Sequence, residues 1–388
     1  MRGRSGDPRL GRHSTEDPSQ AVSELIRSVL ATVASGRPLS SEEAEGFMAA
    51  VLDGEVTPAQ LGGFLVGLRV RGETAEELTG FVRALRSRAV RVSAPEGTID
   101  TCGTGGDARG TFNVSTAVSL VTAAAGVPVA KTGNRAVSGV SGSSDVMAAL
   151  GLSIEQGPEE VAASLREEGY AYLHAPAFHP GMRHAGPTRL ELGMRTAFNL
   201  IGPLANASHP RRQLMGVPDE GAAQMAAAAL HALGTERAFV VSGERVDELP
   251  LDDSGVIYDV SPEGITRRPV TSADHGLPYA PTDALSGGDA AASAAIVEAV
   301  LKGEEHGPRR DVVVLNAGAS LQVAGRAADL REGVALAGQA LDSGAGLDLL
   351  ERLRARARSG AEAGPGARAE EAPARDGAAR PRSPGESG

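Results

Sequence analysis

TIDTCGTGGDARGTFNVSTAVSLVTAAAGVPVAKTGNRAVSGVSGSSD, residues 98–145, is the stretch that decides the fold class of this chain. A short apolar run from Thr98 breaks into the glycine-rich loop 103–107, and a helix-like segment begins at Ser115. The order strand, glycine loop, helix presents backbone N–H groups to a phosphate, and glycine permits close approach and positive φ. A second strand, 127–130, leads into a second loop rich in small and hydroxyl residues. Two such loops predict a ligand with two phosphate groups.

Length and composition limit the classes of protein that the chain can belong to. At 388 residues it is long enough for two domains, and its 41% apolar but 3% aromatic composition favours an α/β fold. The net charge of −11 argues against general binding to nucleic acid or anionic membranes. A single cysteine, Cys102, excludes an intramolecular disulfide and predicts a cytoplasmic location. The sequence predicts neither a secretory signal nor a membrane span.

Apolar periodicity changes along the chain. Helical spacing over 21–33 and helix starts at Ser41, Thr57–Pro58 and Thr74 predict four helices without a strand. From Thr98 onward short apolar strands alternate with helices, which predicts a mostly parallel central sheet covered by helices. The predicted strands are 98–101, 127–130, 170–174, 238–242 and 312–315. The predicted helices are 115–125, 144–150, 158–168, 219–233, 289–302 and 326–342.

These patterns predict a domain organisation. Residues 1–19 are polar with Gly and Pro, and residues 359–388 are rich in Arg, Ala, Gly, Pro and Glu, so both ends are predicted to be disordered tails. Residues 20–95 are predicted to form a small N-terminal helical domain. Residues 96–358 are predicted to form the larger α/β domain.

Three motifs stand in fixed order at close spacing. They are GTGGD at 103–107, NVST at 113–116 and K-x-GNRAVS-x-x-SGS-x-D at 131–145. This combination resembles the anthranilate phosphoribosyltransferase family, and the resemblance extends over roughly residues 20–345. It implies a nucleoside phosphorylase- or phosphoribosyltransferase-like fold. It also implies transfer of the phosphoribosyl group of phosphoribosyl pyrophosphate (PRPP) to the amine of anthranilate in tryptophan biosynthesis, with two Mg²⁺ ions, by a homodimer.

The resemblance assigns the PRPP site mainly to the two glycine-rich loops. The residues that it implies are Gly103, Gly106, Asp107, Thr111, Asn113, Val114, Ser115, Thr116, Lys131, Gly133, Asn134, Arg135, Ser138, Gly139 and Ser143. Taken alone, either loop could be a plain surface turn. The implied catalysis is positioning and electrostatic stabilisation without an acid–base residue, and Lys131 and Asn134 are nearest to a catalytic role.

The implied metal site uses oxygen ligands. Asp247 and Glu248 follow a strand-like run and match an acidic pair that holds Mg²⁺ in the family, and Ser115 is the third candidate ligand. Carboxylate and hydroxyl oxygens are the ligands that Mg²⁺ prefers. Paired acidic residues after a strand are otherwise often simply solvated.

The implied acceptor site uses Gly103, Asn134 and Arg189. A planar guanidinium suits the carboxylate of anthranilate, and the segments around Arg189 also match the family. Without that match, Arg189 would be interpreted as a member of a surface ion pair.

Two further groups of residues invite a chemical interpretation. Cys102 precedes the first glycine loop, but no base stands near it in the sequence, so a structural role is predicted rather than a nucleophilic one. His174, His179 and His184 could suggest a metal cluster. Because Mg²⁺ disfavours imidazole, we interpret them as supporting residues.

The chain departs from the family pattern at several positions. Thr132 stands where the family has His, Val140 where it has a basic residue, and Ser242 where His is common. Residues 251–253, Leu-Asp-Asp, replace a Gly/Pro/Thr-type turn. These changes leave the acceptor open.

The sequence therefore leaves other functions open. One alternative is a paralogue that phosphoribosylates another aromatic acid. A pyrimidine-nucleoside phosphorylase would need a different signature around Lys131. A third alternative is a non-catalytic ligand-binding relative. The joint presence of four candidate functional residues argues against it: Ser115, Lys131, Asp247 and Glu248.

Overall fold

The computed structural model describes residues 18–105, 110–135, 141–244 and 246–362. Four helices open the described chain, as the apolar spacing predicts. Their rings form a small aromatic core, in which Phe47 stacks on Phe64 with centroids 4.0 Å apart and Phe81 meets Phe64 edge-on at 5.9 Å. The helices are α1 (Pro18–Ala34), α2 (Ser41–Asp53), α3 (Pro58–Arg71) and α4 (Ala75–Arg88).

Local capping chemistry sets the starts of these helices. Thr57 and Thr74 are the N-caps of α3 and α4, as predicted, and each closes a capping box with the residue three positions later. The predicted cap of α2 is wrong by one residue. Ser40, with extended backbone, accepts from the Glu43 N–H, so Ser41 is already the first helical residue.

The ends of the folded chain differ from the predicted tail boundaries. Helix α1 includes residues 18–19, and the C-terminal helix α15 (Ala345–Glu362) continues past residue 358. Ion pairs from Arg352 and Arg356 to Glu168 and Glu167 hold the preceding part of α15 against the fold, and the helix continues from there by about one turn. The remainder of both predicted tails lies outside the described residues.

The α/β part is built on one sheet. Its strands are β1 (Ile99–Gly103), β2 (Val129–Gly133), β3 (Tyr170–His174), β4 (Arg212–Gly216), β5 (Arg237–Ser242), β6 (Gly255–Ser261) and β7 (Gly264–Val270). The order is β3-β2-β1-β4-β5-β6-β7. The first five strands are parallel, and β6 and β7 add an antiparallel hairpin at one edge. The mostly parallel sheet predicted from the sequence is confirmed.

The strand predicted at 312–315 is wrong, because these residues lie inside helix α13 (Pro308–Val323). The run Val-Val-Val-Leu is fully buried within a helix that neighbouring helices cover on most sides. A helix buried all round shows no amphipathic period, so a β-branched run in it cannot be distinguished from a buried strand by pattern alone.

Three strands, β4, β6 and β7, were not predicted from the sequence. β4 carries Arg212 and Gln213 and has no alternating pattern, yet it pairs with a strand on each side. β7 is an exposed edge strand that contains Pro269, a residue tolerated at edges. Pairing with distant strands, rather than local propensity, stabilises these segments.

The remaining helices include a group that the sequence did not indicate. Each predicted helix corresponds to an observed one, although the segment predicted at 326–342 begins only at Leu330, where Asp329 caps it. Residues 175–204 form further short helices that pack against α2, α3 and α4. The helices are α5 (Val114–Ala124), α6 (Ser143–Ala149), α7 (Pro158–Glu168), α8 (Ala175–Phe178), α9 (Gly186–Leu192), α10 (Phe198–Leu204), α11 (Glu220–Ala232), α12 (Ala290–Leu301), α13, α14 (Leu330–Asp342) and α15.

Both faces of the sheet are buried, as expected of parallel strands. On one face Ile99, Leu214 and Phe239 pack with the α5, α13 and α14 helices. On the other face Met215 and Val240 join the core of the N-terminal helices and α11. The helical domain is therefore continuous in its packing with the sheet.

Helix length and polarity bear on membrane insertion. Across the ranges that the structure describes, every helix is too short or too polar to cross a bilayer.

Candidate active site

A large cavity lies at the carboxyl ends of the parallel strands. Its volume is about 920 Å³, within the usual range for small-molecule sites. The chain leaves β1 toward β2 and β3 and returns on the other side of β1 as β4, so the strand order reverses at β1. Crevices at such reversals are where open α/β sheets bind ligands. The fold therefore places the site where both glycine-rich loops begin.

The first glycine loop packs directly on the acidic loop that follows β5. The Gly105 N–H donates to Asp247 Oδ2 at 2.9 Å. A Cβ at Gly103 would lie 2.3 Å from Asp247 Oδ2, and one at Gly216 would lie 1.6 Å from the Asp247 carbonyl oxygen. The absence of side chains at these two positions is what lets Asp247 reach the cavity.

Backbone contacts hold the approach to α5. The Phe112 N–H donates to Leu285 O at 2.9 Å, and the Asn113 N–H donates to Ser293 Oγ at 2.7 Å. A Cβ at Gly287 would collide with the Phe112 backbone. Segment 285–288 thus helps to hold residues 111–113 in place, although nothing in the sequence indicated a role for it. Gly288 of this segment also lines the cavity.

Lys131 is a fully buried lysine at the base of the cavity. Its Nζ donates to Thr101 O at 2.8 Å and to Ser115 Oγ at 3.3 Å. Burial lowers the pKa of Lys131, and negative charge on neighbouring groups, the Glu248 and Asp247 carboxylates among them, opposes that shift. The position combines a desolvated cation with the oxygen groups expected to bind phosphate or metal.

Asp100 lies beneath the same strand ends. It is fully buried, and burial raises the pKa of Asp100 to about 6. Its Oδ1 accepts the Thr132 N–H at 3.2 Å. The β1–β2 ladder pairs Ile99 with Val129, and beyond that pair the side chains of Asp100 and Lys131 link the two strands.

The second loop is described only at its two ends. Arg135 forms an ion pair with Asp145 at 3.1 Å, and the Ser144 N–H donates to Asn134 O at 3.1 Å. Ser143 Oγ lies 3.5 Å from the same Asn134 oxygen. These contacts draw both ends of the loop to the carboxyl end of β2.

Residues 175–204 build another part of the cavity wall. The Arg189 guanidinium lies over the Phe198 ring, 5.3 Å from its centroid, and burial lowers the pKa of Arg189. Among the described residues, no carboxylate forms an ion pair with Arg189. A desolvated guanidinium in this position can bind a ligand carboxylate by donating hydrogen bonds to it.

The structure brings most of the predicted site residues to this cavity. Val114 is instead buried in the core, and the Thr116 hydroxyl is bonded to the Asn113 side chain, so neither lines the cavity. Gly106, Asp107, Ser138 and Gly139 lie outside the described residues. The predicted residues that line the cavity are Gly103, Thr111, Asn113, Ser115, Lys131, Gly133, Asn134, Arg135, Ser143, Arg189, Asp247 and Glu248.

The residues present fit a magnesium ion shared with a substrate phosphate. Ser115, Asp247 and Glu248 line the cavity together and also border a smaller one beside it. In the described ranges no group of three or more His, Cys, Asp or Glu residues could hold a metal by itself. Mg²⁺ usually binds through one or two carboxylates and completes its shell with waters and substrate phosphates, so two carboxylates and a hydroxyl suffice.

The structure shows the surroundings of the cysteine and of two of the histidines. Cys102 is buried, its Sγ accepts from Gln213 Nε2 at 3.1 Å, and burial raises the pKa of the thiol. That environment suppresses the nucleophilic thiolate. His179 lines the cavity and burial lowers its pKa, whereas the His184 ring packs beside Gly54.

The departures from the family pattern fall in different places. Thr132 lines the cavity, and its buried Oγ1 has no hydrogen-bond partner in the described part of the chain. Ser242 is buried at the end of β5. Asp252 accepts from the Thr282 hydroxyl and Asp253 from Ser272, so the replaced turn anchors two neighbouring segments. Val140 lies outside the described residues.

One cavity residue that the sequence analysis did not assign is Arg195. Its guanidinium donates to Gly105 O at 2.8 Å and so connects the wall built by residues 175–204 to the first glycine loop. Arg195 belongs to the segments around Arg189 that match the family, but a motif match alone does not show which loop an arginine will reach.

Comparison with known proteins identifies the class to which this fold and site belong. A family model described as "Glycosyl transferase family, helical bundle domain" matches residues 27–89, and one described as "Glycosyl transferase family, a/b domain" matches residues 96–347. The chain is thus a glycosyl transferase of this two-domain class.

Individual relatives define the family more narrowly. An anthranilate phosphoribosyltransferase from Rubrobacter xylanophilus is 47% identical over 330 residues, which are 85% of this chain and 96% of the relative. The crystal structure of an anthranilate phosphoribosyltransferase from Thermus thermophilus is 42% identical with a TM-score of 0.81, covering 85% of this chain and 99% of that one. The enzyme from Saccharomyces cerevisiae in complex with PRPP and Mg is 25% identical with a TM-score of 0.78, covering 88% and 98%. This chain belongs to the anthranilate phosphoribosyltransferase family.

Proposed function

We propose that this chain transfers the phosphoribosyl group of PRPP to the amine of anthranilate, giving N-(5-phosphoribosyl)anthranilate and pyrophosphate in tryptophan biosynthesis. The observation that supports this most directly is that one cavity brings together Lys131, the strand ends at which both glycine-rich loops begin, and Arg189 beside an aromatic ring. We assign the donor to the first two and the acceptor to Arg189. The family membership of the chain agrees with this division.

At the donor end, the described groups suit a diphosphorylated sugar. The Lys131 ammonium and the hydroxyls of Ser115 and Ser143 face the cavity, and the glycines leave space for phosphate oxygens. Asn113, Asn134 and Arg135 add polar groups around them. We assign the remaining predicted donor residues, including Gly106, Asp107, Ser138 and Gly139, to the same site on the resemblance alone.

We assign Ser115, Asp247 and Glu248 as the Mg²⁺ ligands, with two ions as the resemblance implies. Bound there, Mg²⁺ neutralises charge on the pyrophosphate leaving group. The protein's own part is to hold the Asp247 carboxylate against the first glycine loop through the Gly105–Asp247 contact.

At the acceptor end, Arg189 would hold the anthranilate carboxylate, with Asn134 and Gly103 near its amine. The amine nitrogen then forms a bond to C1 of the ribose while the bond from C1 to the pyrophosphate oxygen breaks, and the nitrogen afterwards loses a proton. Positive charge builds on the ribose ring, so alignment of the two substrates and electrostatic stabilisation supply the rate enhancement.

The first test is direct turnover with defined substrates. Purified protein with PRPP, anthranilate and Mg²⁺ is expected to release pyrophosphate, and a chelator is expected to stop the release. Isothermal titration calorimetry with PRPP alone separates donor binding from turnover. PRPP binding without turnover on any acceptor would contradict the proposal and favour a non-catalytic relative. Phosphorolysis of a pyrimidine nucleoside by phosphate would favour the phosphorylase alternative.

Thr132 and Ser242 support a second candidate, a paralogue that acts on another aromatic acid. Thr132 lines the cavity and stands where the family has His, so the wall that an acceptor would meet differs there from the family pattern. A screen of ortho-substituted benzoates with PRPP and Mg²⁺ distinguishes the two. Anthranilate is expected to give the highest kcat/KM. A clear preference for another acid would establish the paralogue.

We propose that the enzyme is a homodimer through its helical part. Val70 on α3 and Leu190 on the adjacent α9 are large apolar side chains that are 84% and 71% exposed in the single chain. Exposed apolar side chains on packed neighbouring helices are typical of an association surface. Sedimentation velocity is expected to give twice the chain mass. A single-chain mass at micromolar concentration would contradict the assignment.

We also propose a cytoplasmic location. PRPP is multiply charged and does not cross a lipid bilayer unaided. The one cysteine is a free buried thiol, which suits a reducing compartment.

A further inference from the structure

A chain of hydrogen-bonded side chains leads from the third strand to the donor end of the cavity. The Tyr172 phenol oxygen lies 2.9 Å from Ser143 Oγ and 2.8 Å from Ser144 Oγ. Ser144 Oγ lies 3.0 Å from His174 Nδ1. Only Ser143 of these four side chains lines the cavity. The side chains of the other three are connected to the cavity through the Ser143 hydroxyl.

The hydrogens in this chain can be placed in one consistent direction. With His174 as the Nδ1–H tautomer, its ring donates to Ser144, Ser144 donates to Tyr172, and Tyr172 donates to Ser143. The Ser143 hydroxyl hydrogen is then left to point away from Tyr172. Among the described residues, its other hydrogen-bond neighbour is Asn134 O at 3.5 Å, which is a poor hydrogen bond. A phosphate oxygen in the cavity would be a better acceptor.

We propose that Tyr172 is a positioning residue for PRPP, which orients the Ser143 hydroxyl so that it donates to a phosphate oxygen of the donor. This rests on the proposed function, because it takes Ser143 as a PRPP ligand. It assigns a role in substrate binding to a buried side chain that does not touch the substrate. Ser144 and His174 in turn orient the Tyr172 hydroxyl, because Ser144 Oγ contacts both the phenol oxygen and His174 Nδ1.

Close packing makes the position of these hydroxyls unusually well defined. A Cβ on Gly133 would lie 2.1 Å from Ser143 Oγ and 2.3 Å from the Tyr172 hydroxyl, so both groups rest on the backbone at the end of β2. The Ser144 N–H also donates to Asn134 O at 3.1 Å. The hydroxyls are therefore held against the strand from which the second loop departs.

Burial keeps the phenol in the donating form. It raises the pKa of Tyr172, and the hydrogen bonds that the phenol shares with Ser143 and Ser144 act in the other direction. The tyrosine is only 2% exposed. A neutral phenol has one hydrogen to donate and can accept another, which matches its two serine neighbours.

Tyr170 provides a matched control on the same strand and the same face. It is 1% exposed, and burial raises its pKa as well. Its hydroxyl lies 3.1 Å from Ser119 Oγ and 3.8 Å from Met147 Sδ. Neither of those partners lines the cavity. Removing either phenol oxygen removes one buried polar atom from β3, but only Tyr172 is connected to the cavity.

The test compares Tyr172→Phe with Tyr170→Phe in the full-length enzyme. Calorimetry with PRPP and Mg²⁺ gives the donor Kd, steady-state kinetics give the acceptor KM, and thermal melting gives stability. Tyr172→Phe is expected to raise the donor Kd about five- to tenfold, the usual effect of one lost neutral hydrogen bond. Its acceptor KM and its melting temperature should match those of Tyr170→Phe, whose donor Kd should stay within about twofold of wild type.

Two results would overturn the proposal. One is a donor Kd for Tyr172→Phe equal to that of Tyr170→Phe. The other is a parallel loss of donor affinity, acceptor affinity and melting temperature, which would mean a general structural role. If wild-type protein binds no PRPP, the proposed function itself fails, and that outcome is read from the wild-type titration alone.

Ser144→Ala gives a second, independent approach to the same chain of hydrogen bonds. It leaves the Tyr172 ring in place and removes the group that links it to His174. The donor Kd is expected to rise, and the rise in the Ser144→Ala/Tyr172→Phe double variant should be smaller than the product of the single effects, because the groups act in series. Independent, multiplicative effects would contradict the series arrangement.

Discussion

Asp247→Asn combined with Glu248→Gln is expected to reduce turnover by about a thousandfold, the effect typical of removing a main electrostatic element from an active site. Both changes remove negative charge but keep the size of each side chain. Asp247 accepts the Gly105 N–H at 2.9 Å, and the amide oxygen of the substituted side chain can still accept it, so the contact with the first glycine loop is preserved. Pyrophosphate release at saturating Mg²⁺ is the measurement.

Glu244→Gln is the matched control for this pair. Glu244 lies on the same loop after β5, but it is exposed and does not line the cavity. It is expected to keep wild-type turnover, and all variants should melt close to wild type. Undiminished turnover in the double variant would remove Asp247 and Glu248 from the metal site. Loss of PRPP binding in the presence of Mg²⁺ but not in its absence would further identify the pair as the metal ligands.

Arg189→Ala is expected to raise the acceptor KM by about ten- to a hundredfold while the donor Kd stays nearly constant. A lost hydrogen bond between charged groups is worth roughly 1.5–3 kcal/mol, which corresponds to that range. The guanidinium lies over the Phe198 ring and belongs to a different segment from Lys131 and Ser115, so its removal should leave those two groups in place.

Arg189→Lys refines this experiment. Lysine keeps the positive charge but loses the planar pair of donors that fits a carboxylate, so an intermediate KM is expected. Equal weakening of donor and acceptor binding by Arg189→Ala would show that Arg189 belongs to the shared frame of the cavity. An unaltered acceptor KM would remove it from the site.

Local physical chemistry explains why much of the fold could be predicted from the sequence. Thr57 and Thr74 cap their helices through hydrogen bonds within four residues, so their effect does not depend on the rest of the chain. The strand at 170–174 and the helix at 158–168 were predicted with their observed bounds, because apolar period and flanking glycine mark them locally.

Some features of the site could likewise be predicted from the sequence, and others could not. The two glycine loops were identified because the residues that shape them are adjacent in sequence. By contrast, the collision that a Cβ at Gly216 would make with Asp247, and the hold of segment 285–288 on residues 111–113, join parts of the chain that lie far apart. Nothing within either segment indicates such a partner.

By itself, then, the amino-acid sequence determined most of the helices, the strands next to the two glycine-rich segments, the caps at Thr57 and Thr74 and the position of the acidic pair, because each depends on neighbours along the chain. Only the tertiary structure decided that 312–315 is helical, that β4 is a central strand, and that Arg189 lies half-buried over an aromatic ring. Burial and pairing between distant segments outweigh local propensity at these positions, since packing contributes more free energy than intrinsic preference.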